Sequence, residues 1–317
     1  MQPTIFDGLV VGKWERKIFE DMRIGGVTAA NCTCSLWEGL EDTFKNICQW
    51  KKLFRDNSDL IQQVYCIDDI HKAQQRGKIG IILGWQNTSG FGDYIASVPV
   101  FRELGVRIVQ LTYNTANSVG SGCYESRDLG LTDYGRHLVW AMNEAGILVD
   151  LSHVGNQTAK DAIDISKKPV AYTHICPQAL SPHARNKSDE EIKYIADRGG
   201  FVGAAGVPTF LPKGYDSTIA DYVDALMYMR NLVGEDRVGL GTDLTQGQSQ
   251  SFFDWIASDK GNGRQLVDMG GIPLLSGFED AAQYPKIVWE LEKRGLGDQQ
   301  VEKLMGLNWI NFLKEVW

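Results

Sequence analysis

The segment GILVDLSHVGNQTAKDAIDISKKPVAYTHICPQAL, residues 146–180, contains two short apolar runs separated by one polar stretch of helical length. The runs Ile147–Leu151 and Pro169–Tyr172 have the composition of buried strands, and each is followed closely by a histidine, His153 or His174. A strand, a helix and a second strand with short connections are typical of two parallel neighbours in a sheet. The segment therefore predicts adjacent parallel strands that carry histidines near their carboxyl ends.

The same alternation continues along the whole chain. Further strand-like runs lie at 4–12, 25–37, 78–87, 106–114, 200–206 and 236–244. Helical patterns separate them, for example 132–146, where Thr132 is the predicted N-cap and Gly146 the stop. About eight such repeats favour a (β/α)8 TIM barrel. The alternative is a doubly wound sheet, but the first strand is not followed by the glycine-rich phosphate loop typical of that fold.

Composition limits the class of protein. The formal net charge is −8, which argues against nucleic acid as a partner. No apolar run reaches the roughly 18 residues of a membrane span, and the N-terminus lacks the pattern of a signal peptide. The six cysteines form no CxxC pair, which is typical of free thiols in a reducing compartment. We expect a single cytoplasmic domain, residues 1–317, that acts on a small molecule without nucleic-acid or membrane partners.

Polar residues also follow other predicted strands. Beside the two histidines these residues are Gln86, Tyr113 and Asp243, with Arg185 in the loop after His174. Each has an ordinary interpretation by itself: a hydrogen-bonded core histidine, a turn aspartate or a surface arginine. Because the carboxyl ends of barrel strands converge on one face, we interpret the group as a site. Neutral imidazole is a common metal ligand, so the histidines are candidate ligands.

Several motifs extend this interpretation to a family. They are FDGL, QLTYNTANSVGSGCYE, LVDLSHVG, PVAYTHICPQALSPHARNKSDEEI, VGLGTDLTQG and the tail KLMGLNWINFLKEVW. With these motifs the chain resembles the membrane (renal) dipeptidase family, peptidase family M19 of the amidohydrolase superfamily. The resemblance implies a TIM barrel of the metal-dependent hydrolase type, zinc, hydrolysis of dipeptides and a homodimer.

The resemblance also implies roles for individual residues. His153 and His174 match the two ligands of one zinc ion. Arg185 matches the arginine that holds the substrate carboxylate, a task suited to a guanidinium. Asp243 matches the carboxylate that serves as acid and base.

The sequence departs from the family at four positions. The family's first strand reads Asp-Gly-His-x-Asp, whereas this chain has Leu9 and Val11 at the positions of the His and the second Asp. Gln86 stands at the position of the bridging glutamate, and Tyr113 at that of a histidine which contacts substrate. We therefore expect at most one zinc ion on His153 and His174, completed by Gln86 or water, with weak or absent occupancy left open.

Three functions remain open from the sequence. The first is a dipeptidase-like metallohydrolase that cleaves a dipeptide or related small carboxylate-bearing amide. In it Asp243 moves the proton, and Tyr113 binds substrate and donates to the oxyanion. The second is a metal-free isomerase or lyase, for which Lys13 could supply a positive charge. Lys13 can also be interpreted as a solvated surface lysine. The third is a non-catalytic binding protein that keeps the Arg185 pocket. In all three, the insertion 246–277 is interpreted as a lid or a subunit contact.

Overall fold

The computed structural model describes residues 3–268 and 270–317. The strands in these ranges are β1 (Ile5–Val10), β2 (Val27–Ser35), β3 (Ile61–Gln63), β4 (Ile79–Trp85), β5 (Val106–Gln110), β6 (Leu148–Asp150), β7 (Ala171–Ile175), β8 (Phe201–Ala204) and β9 (Val238–Leu240). The α-helices are α1 (Arg16–Ile24), α2 (Leu40–Asp56), α3 (Ile67–Gln75), α4 (Ser97–Leu104), α5 (Asp133–Ala145), α6 (Asn156–Ile165), α7 (Asp189–Ala196), α8 (Ile219–Val233), α9 (Gln250–Ile256), α10 (Tyr284–Lys293), α11 (Asp298–Glu302) and α12 (Asn308–Val316). A π-helical turn, Lys303–Leu307, joins the last two.

Eight of these strands form a closed parallel barrel. The order of pairing is β1, β2, β4, β5, β6, β7, β8 and β9, and the ring closes where Asp7 of β1 lies opposite Leu240 of β9. Closure without free edges confirms the (β/α)8 barrel and rules out the doubly wound alternative, whose sheet is open. The short strand β3 lies outside the ring, where Ile61 pairs with Ile79 at the start of β4.

The local signals in the sequence are confirmed at α5, whereas two short elements were not predicted. The Thr132 side chain accepts a hydrogen bond from the Gly135 amide, and Gly146 ends the helix in a left-handed conformation with φ of 65°. The pattern did not predict α1 or β3. Strand β3 spans three residues and is too short to establish a period, whereas α1 buries Ile18, Phe19 and Met22 on one face of its nine residues and was overlooked.

The C-terminal helix closes the amino-terminal end of the barrel. The Trp309 ring stacks on Phe6 and packs against Phe201, and its Nε1 donates to the Leu240 carbonyl at 2.7 Å. A Cβ on Gly8 would lie 2.5 Å from the Trp309 ring, so glycine is required there for the indole to enter. This apolar plug leaves the opposite, carboxyl-terminal end as the open face of the barrel.

Two further expectations bear on the whole chain. All six cysteines are free thiols, as their spacing predicts. In the described part of the chain, no helix is both long enough and apolar enough to cross a bilayer.

Candidate metal centre and active site

The carboxyl ends of the barrel strands bring the residues predicted from sequence together. Gln86 follows β4 directly, Tyr113 and His153 lie three residues beyond β5 and β6, and His174 lies within β7. Asp243 lies three residues beyond β9. All of them except His174 line one cavity, together with Arg185. The cavity has a volume of about 60 Å³.

The two histidines meet through their ring nitrogens. His153 Nε2 lies 2.9 Å from His174 Nε2, although the residues are 21 positions apart in sequence. Both side chains are buried, with 5% and 0% of their surface exposed. Burial, followed by the Arg185 charge, lowers the pKa of both imidazoles well below its usual value. The pair is therefore neutral at physiological pH.

The tautomer of each histidine follows from its other nitrogen. His153 Nδ1 lies 2.7 Å from the Asn114 side-chain oxygen, which accepts only, so Nδ1 carries the proton. His174 Nδ1 lies 2.7 Å from Thr173 Oγ1. That hydroxyl donates its own proton to the Asp150 carboxylate at 2.7 Å, so it accepts from His174. Both Nε2 atoms consequently present lone pairs.

Two lone pairs that face each other at 2.9 Å repel unless a cation lies between them. A proton is disfavoured because the pKa of each imidazole is lowered. Two imidazoles on one tetrahedral zinc ion have their nitrogens about 3.3–3.4 Å apart, from zinc–nitrogen distances near 2.0–2.1 Å, so the observed separation is within about 0.5 Å of that spacing. A donor from each Nδ1 to a carbonyl or hydroxyl oxygen is also the usual support of a metal ligand. The residues present therefore fit one metal ion.

The position of a second ion is apolar. Leu9, Val11, Leu36 and Tyr113 form a buried hydrophobic cluster, with Trp37 packed edge-on against the Tyr113 ring at 4.8 Å. Aliphatic side chains offer no ligand atom, so these residues do not fit a second metal. The described residues also contain no group of three or more His, Cys, Asp or Glu side chains arranged to hold a metal.

Gln86 is placed to contribute a neutral oxygen. Its Nε2 donates to Thr33 Oγ1 at 3.0 Å, which leaves Oε1 for another partner. The backbone carbonyl of Gln86 accepts from Gln110 Nε2 at 2.7 Å and thereby fixes the residue at the strand end. An amide oxygen can bind a cation but brings no charge, in keeping with a single ion.

Arg185 is fully buried beside the histidines. Its Nη1 donates to the Ser152 carbonyl, and its Nη2 donates to the His174 carbonyl at 2.7 Å. The guanidinium also lies over the Phe210 ring at 5.6 Å. Its Nε has no hydrogen-bond partner among the described residues. A cavity-lining guanidinium with a free N–H can bind a carboxylate.

Asp243 has the properties of a general base. Burial raises the pKa of its carboxyl to about 7, against the lowering effect of Arg185, and the Asp7 and Asp150 charges raise it further. The backbone at Asp243 is left-handed, with φ of 57°, and its amide donates to the Leu9 carbonyl at 2.9 Å. A non-glycine residue in this conformation is uncommon and recurs at functional sites.

Tyr113 remains a phenol in this environment. Burial, and then the Asp243 charge, raises its pKa well above the usual value, so its hydroxyl is a hydrogen-bond donor at all physiological pH values. Its ring lies 4.4 Å from the His153 ring. Lys13, by contrast, is exposed and is absent from the described residues that line the cavity. This placement agrees with a solvated surface lysine. Lys13 therefore does not support the hypothesis of a metal-free isomerase or lyase.

Residues of the insertion 246–277 cover the cavity. Helix α9 contributes Phe252, Phe253 and Ile256, and the segment after it contributes Val267 and Pro273. These apolar side chains face the polar residues at the strand ends. A lid was one of the two interpretations of this insertion from sequence, the other being a subunit contact, and its apolar residues have no clear period.

Sequence reasoning missed the residues that orient the site. Asn114 fixes His153, and the hydroxyl of Thr173 with the carboxylate of Asp150 fixes His174. Asp150 could have been identified from the sequence, because it is a charged residue inside the apolar run LVDLS. Asp7 is similar, since it is fully buried and accepts hydrogen bonds from the Thr242 amide and the Tyr284 hydroxyl. Buried aspartates in strands need such partners.

Known proteins share both the sequence pattern and the fold of this chain. Residues 16–255 match the model of a family described as membrane dipeptidase, peptidase family M19. The structure resembles that of an amidohydrolase from Pseudomonas aeruginosa with a TM-score of 0.98 and 51% sequence identity, covering 99% of this chain and 97% of that one.

Two curated relatives carry dipeptidase names. Dipeptidase tcpJ of Claviceps purpurea is 29% identical over 280 residues, and an uncharacterized dipeptidase of Schizosaccharomyces pombe is 30% identical over 284 residues. Each alignment covers 87% of this chain but only 60% and 62%, respectively, of the relative.

Proposed function

The chain belongs to the membrane dipeptidase family, peptidase family M19, and on that premise we propose that it hydrolyses a dipeptide or a related small carboxylate-bearing amide with one zinc ion. The observation that carries the proposal is the pair of Nε2 lone pairs 2.9 Å apart, beside a cavity that holds Asp243 and Arg185. The names of the curated relatives support the same reaction class.

His153 and His174 would hold the ion, and the Gln86 side-chain oxygen is placed to complete the ligand set with water. When bound, zinc polarises the scissile carbonyl and lowers the pKa of water. The Nδ1 donors of both histidines keep the Nε2 atoms free of protons and aimed at a common point. Neutral ligands leave the ion strongly electrophilic.

The remaining groups bind substrate and move protons. Asp243 accepts a proton from the attacking water and returns it to the amide nitrogen as the C–N bond breaks. Arg185 binds the substrate carboxylate through its free N–H. The Tyr113 hydroxyl donates to the oxygen of the carbonyl under attack. Phe252, Phe253 and Ile256 of the insertion line the same cavity and would act as a lid that excludes bulk water from it.

Hydrolysis after zinc reconstitution tests this function. The protein is stripped with chelator, reloaded with zinc, manganese or iron, and assayed against a panel of dipeptides and acylated amino acids. We expect activity with at least one metal, and loss of it in His174→Ala. The matched control His137→Ala changes an exposed histidine on α5 and retains activity. Absence of hydrolysis across the panel with every metal would reject the proposal.

A further inference from the structure

The charges that line the cavity are few and specific. Among the described lining residues, Arg185 is the only strong cation and Asp243 the only carboxylate. His153 directs its Nδ1 away from the cavity to the Asn114 side-chain oxygen at 2.7 Å. The cavity is therefore suited to a ligand that carries one negative charge and is neutral elsewhere.

A large part of the wall is apolar. Val11 and Leu36 belong to the buried cluster at the ends of β1 and β2, and Phe252 and Ile256 face them from α9. None of these side chains can accept a hydrogen bond. A charged group placed against them loses water without gaining a partner, which is unfavourable.

An ordinary dipeptide fits this wall poorly. Its free amino terminus is cationic at neutral pH. With the substrate carboxylate on Arg185, that ammonium would lie at the other end of the dipeptide, and Asp243 is the one carboxylate among the described lining residues that could pair with it. An ammonium paired with Asp243 would stabilise the ionised carboxylate and weaken it as a base.

A neutral polar group has a place beside the apolar wall. The Thr245 side chain lines the cavity and is 7% exposed, and its hydroxyl has no hydrogen-bond partner among the described residues. A hydroxyl can donate to a carbonyl oxygen or accept from an amide N–H. It can therefore pair with the amide bond of a bound ligand.

We propose that the substrate is an N-acylated amino acid, with its carboxylate on Arg185 and its neutral acyl chain against Val11, Leu36, Phe252 and Ile256. This inference rests on the proposed hydrolase function and names the substrate class. Water oxygen bonds to the acyl carbon, and the bond between that carbon and the amide nitrogen breaks. One water proton passes through Asp243 to the nitrogen. The products are a carboxylic acid and a free amino acid.

A matched pair of substrates tests the inference. Propionyl-leucine and alanyl-leucine differ only in the amino group, so both are assayed with the zinc-loaded enzyme, using each enantiomer of leucine. We expect kcat/KM for propionyl-leucine to be higher by at least about tenfold, because one unpaired charge is avoided. An equal or higher value for alanyl-leucine would overturn the inference.

Binding separates failure of this inference from failure of the hydrolase function. The dissociation constants of both compounds are measured by calorimetry. If neither compound is cleaved but propionyl-leucine binds more tightly, the ligand class stands and the hydrolase function fails. If neither compound binds, or alanyl-leucine binds as tightly, the inference is wrong.

A charge introduced into the wall gives an independent test. Ile256 lies on α9, faces the cavity and is only half-buried, so Ile256→Glu and the uncharged control Ile256→Gln can both be accommodated. We expect Ile256→Glu to shift the kcat/KM ratio toward alanyl-leucine by about tenfold relative to Ile256→Gln. An unchanged ratio would show that the wall does not face the amino end of the substrate.

Discussion

Asp243 is the residue whose ionisation should control the rate. Its carboxyl has a pKa of about 7, and a general base must be ionised to accept a proton. The fraction ionised rises as pH increases, so kcat should rise from pH 5.5 and level off above pH 8, with a midpoint near 7. A pH–rate profile of the zinc-loaded enzyme measures this. A profile that is flat through this range would contradict the assignment.

The Asp243→Asn variant completes that test. We expect kcat to fall by about 10²–10⁴, because the amide cannot accept the proton, and the residual rate should lose its midpoint near pH 7. Asp254→Asn is the matched control, since Asp254 is exposed on α9 and is absent from the described lining of the cavity.

Asn114 should act on the metal through His153. Replacing Asn114 with Ala removes the acceptor that holds His153 Nδ1–H, and the Nε2 tautomer then becomes available. Loss of such a partner typically lowers metal affinity by about 10–100-fold. Asn114→Asp keeps the acceptor and tolerates the positive φ of 61°, so it should retain affinity. Zinc titration of both variants measures the difference, and equal loss in both would contradict the role.

The sequence alone could identify the candidate metal ligands His153 and His174, but it could not predict which ring nitrogen of each carries the proton. His153, His174 and Asp243 follow apolar runs, and the barrel rule places strand ends together. Asn114 was beyond prediction because its contact with His153 spans 39 positions and depends on a left-handed turn after β5. Which nitrogen carries the proton is decided by such distant partners.

At the scale of elements, close packing of β7 and β9 positions His174. Gly241 follows β9, and a Cβ there would lie 1.8 Å from the Thr173 carbonyl oxygen and 3.2 Å from His174 Cα. Gly241→Ala should therefore displace the end of β7. We expect a loss of about 1–3 kcal/mol in the free energy of unfolding, as for other overpacked cores, together with weaker zinc binding.

Denaturant unfolding and zinc titration measure the two effects. Gly297→Ala is the control, since an added Cβ there would meet nothing within 4 Å. Normal zinc affinity in Gly241→Ala would show that His174 does not depend on this packing.

Weak periodicity explains why β3 and α9 were not predicted. Helix α5 has a long amphipathic pattern and was anticipated within about two residues, as is usual for strong periods. The strand β3 is too short to show a period, and α9 covers the cavity with apolar residues on a half-exposed helix. Their positions depend on the barrel that they pack against.

At the scale of the whole molecule, closure of the barrel could be predicted from repetition alone. Eight strand–helix units and the absence of a phosphate loop after β1 were sufficient for the fold class. The number of metal ions depends instead on substitutions at Leu9, Val11 and Gln86, whose consequence is visible only once the apolar cluster is seen. The predicted cytoplasmic location stays a prediction.

Assembly and domain organisation have their own test. From the family resemblance we expect a homodimer, and we expect residues 1–317 to unfold as a single domain. Sedimentation velocity should give twice the mass of the chain, and denaturant unfolding of the zinc-loaded protein should give one cooperative transition. A monomer, or two separate transitions, would contradict these expectations.

The proposed function depends on one metal ion held between His153 and His174. Elemental analysis of protein loaded with excess zinc and then dialysed against metal-free buffer tests this claim. We expect one equivalent of zinc per chain, reduced to less than about a tenth in His153→Ala and His174→Ala. Two equivalents, no retained zinc, or one equivalent that survives both substitutions would contradict the claim.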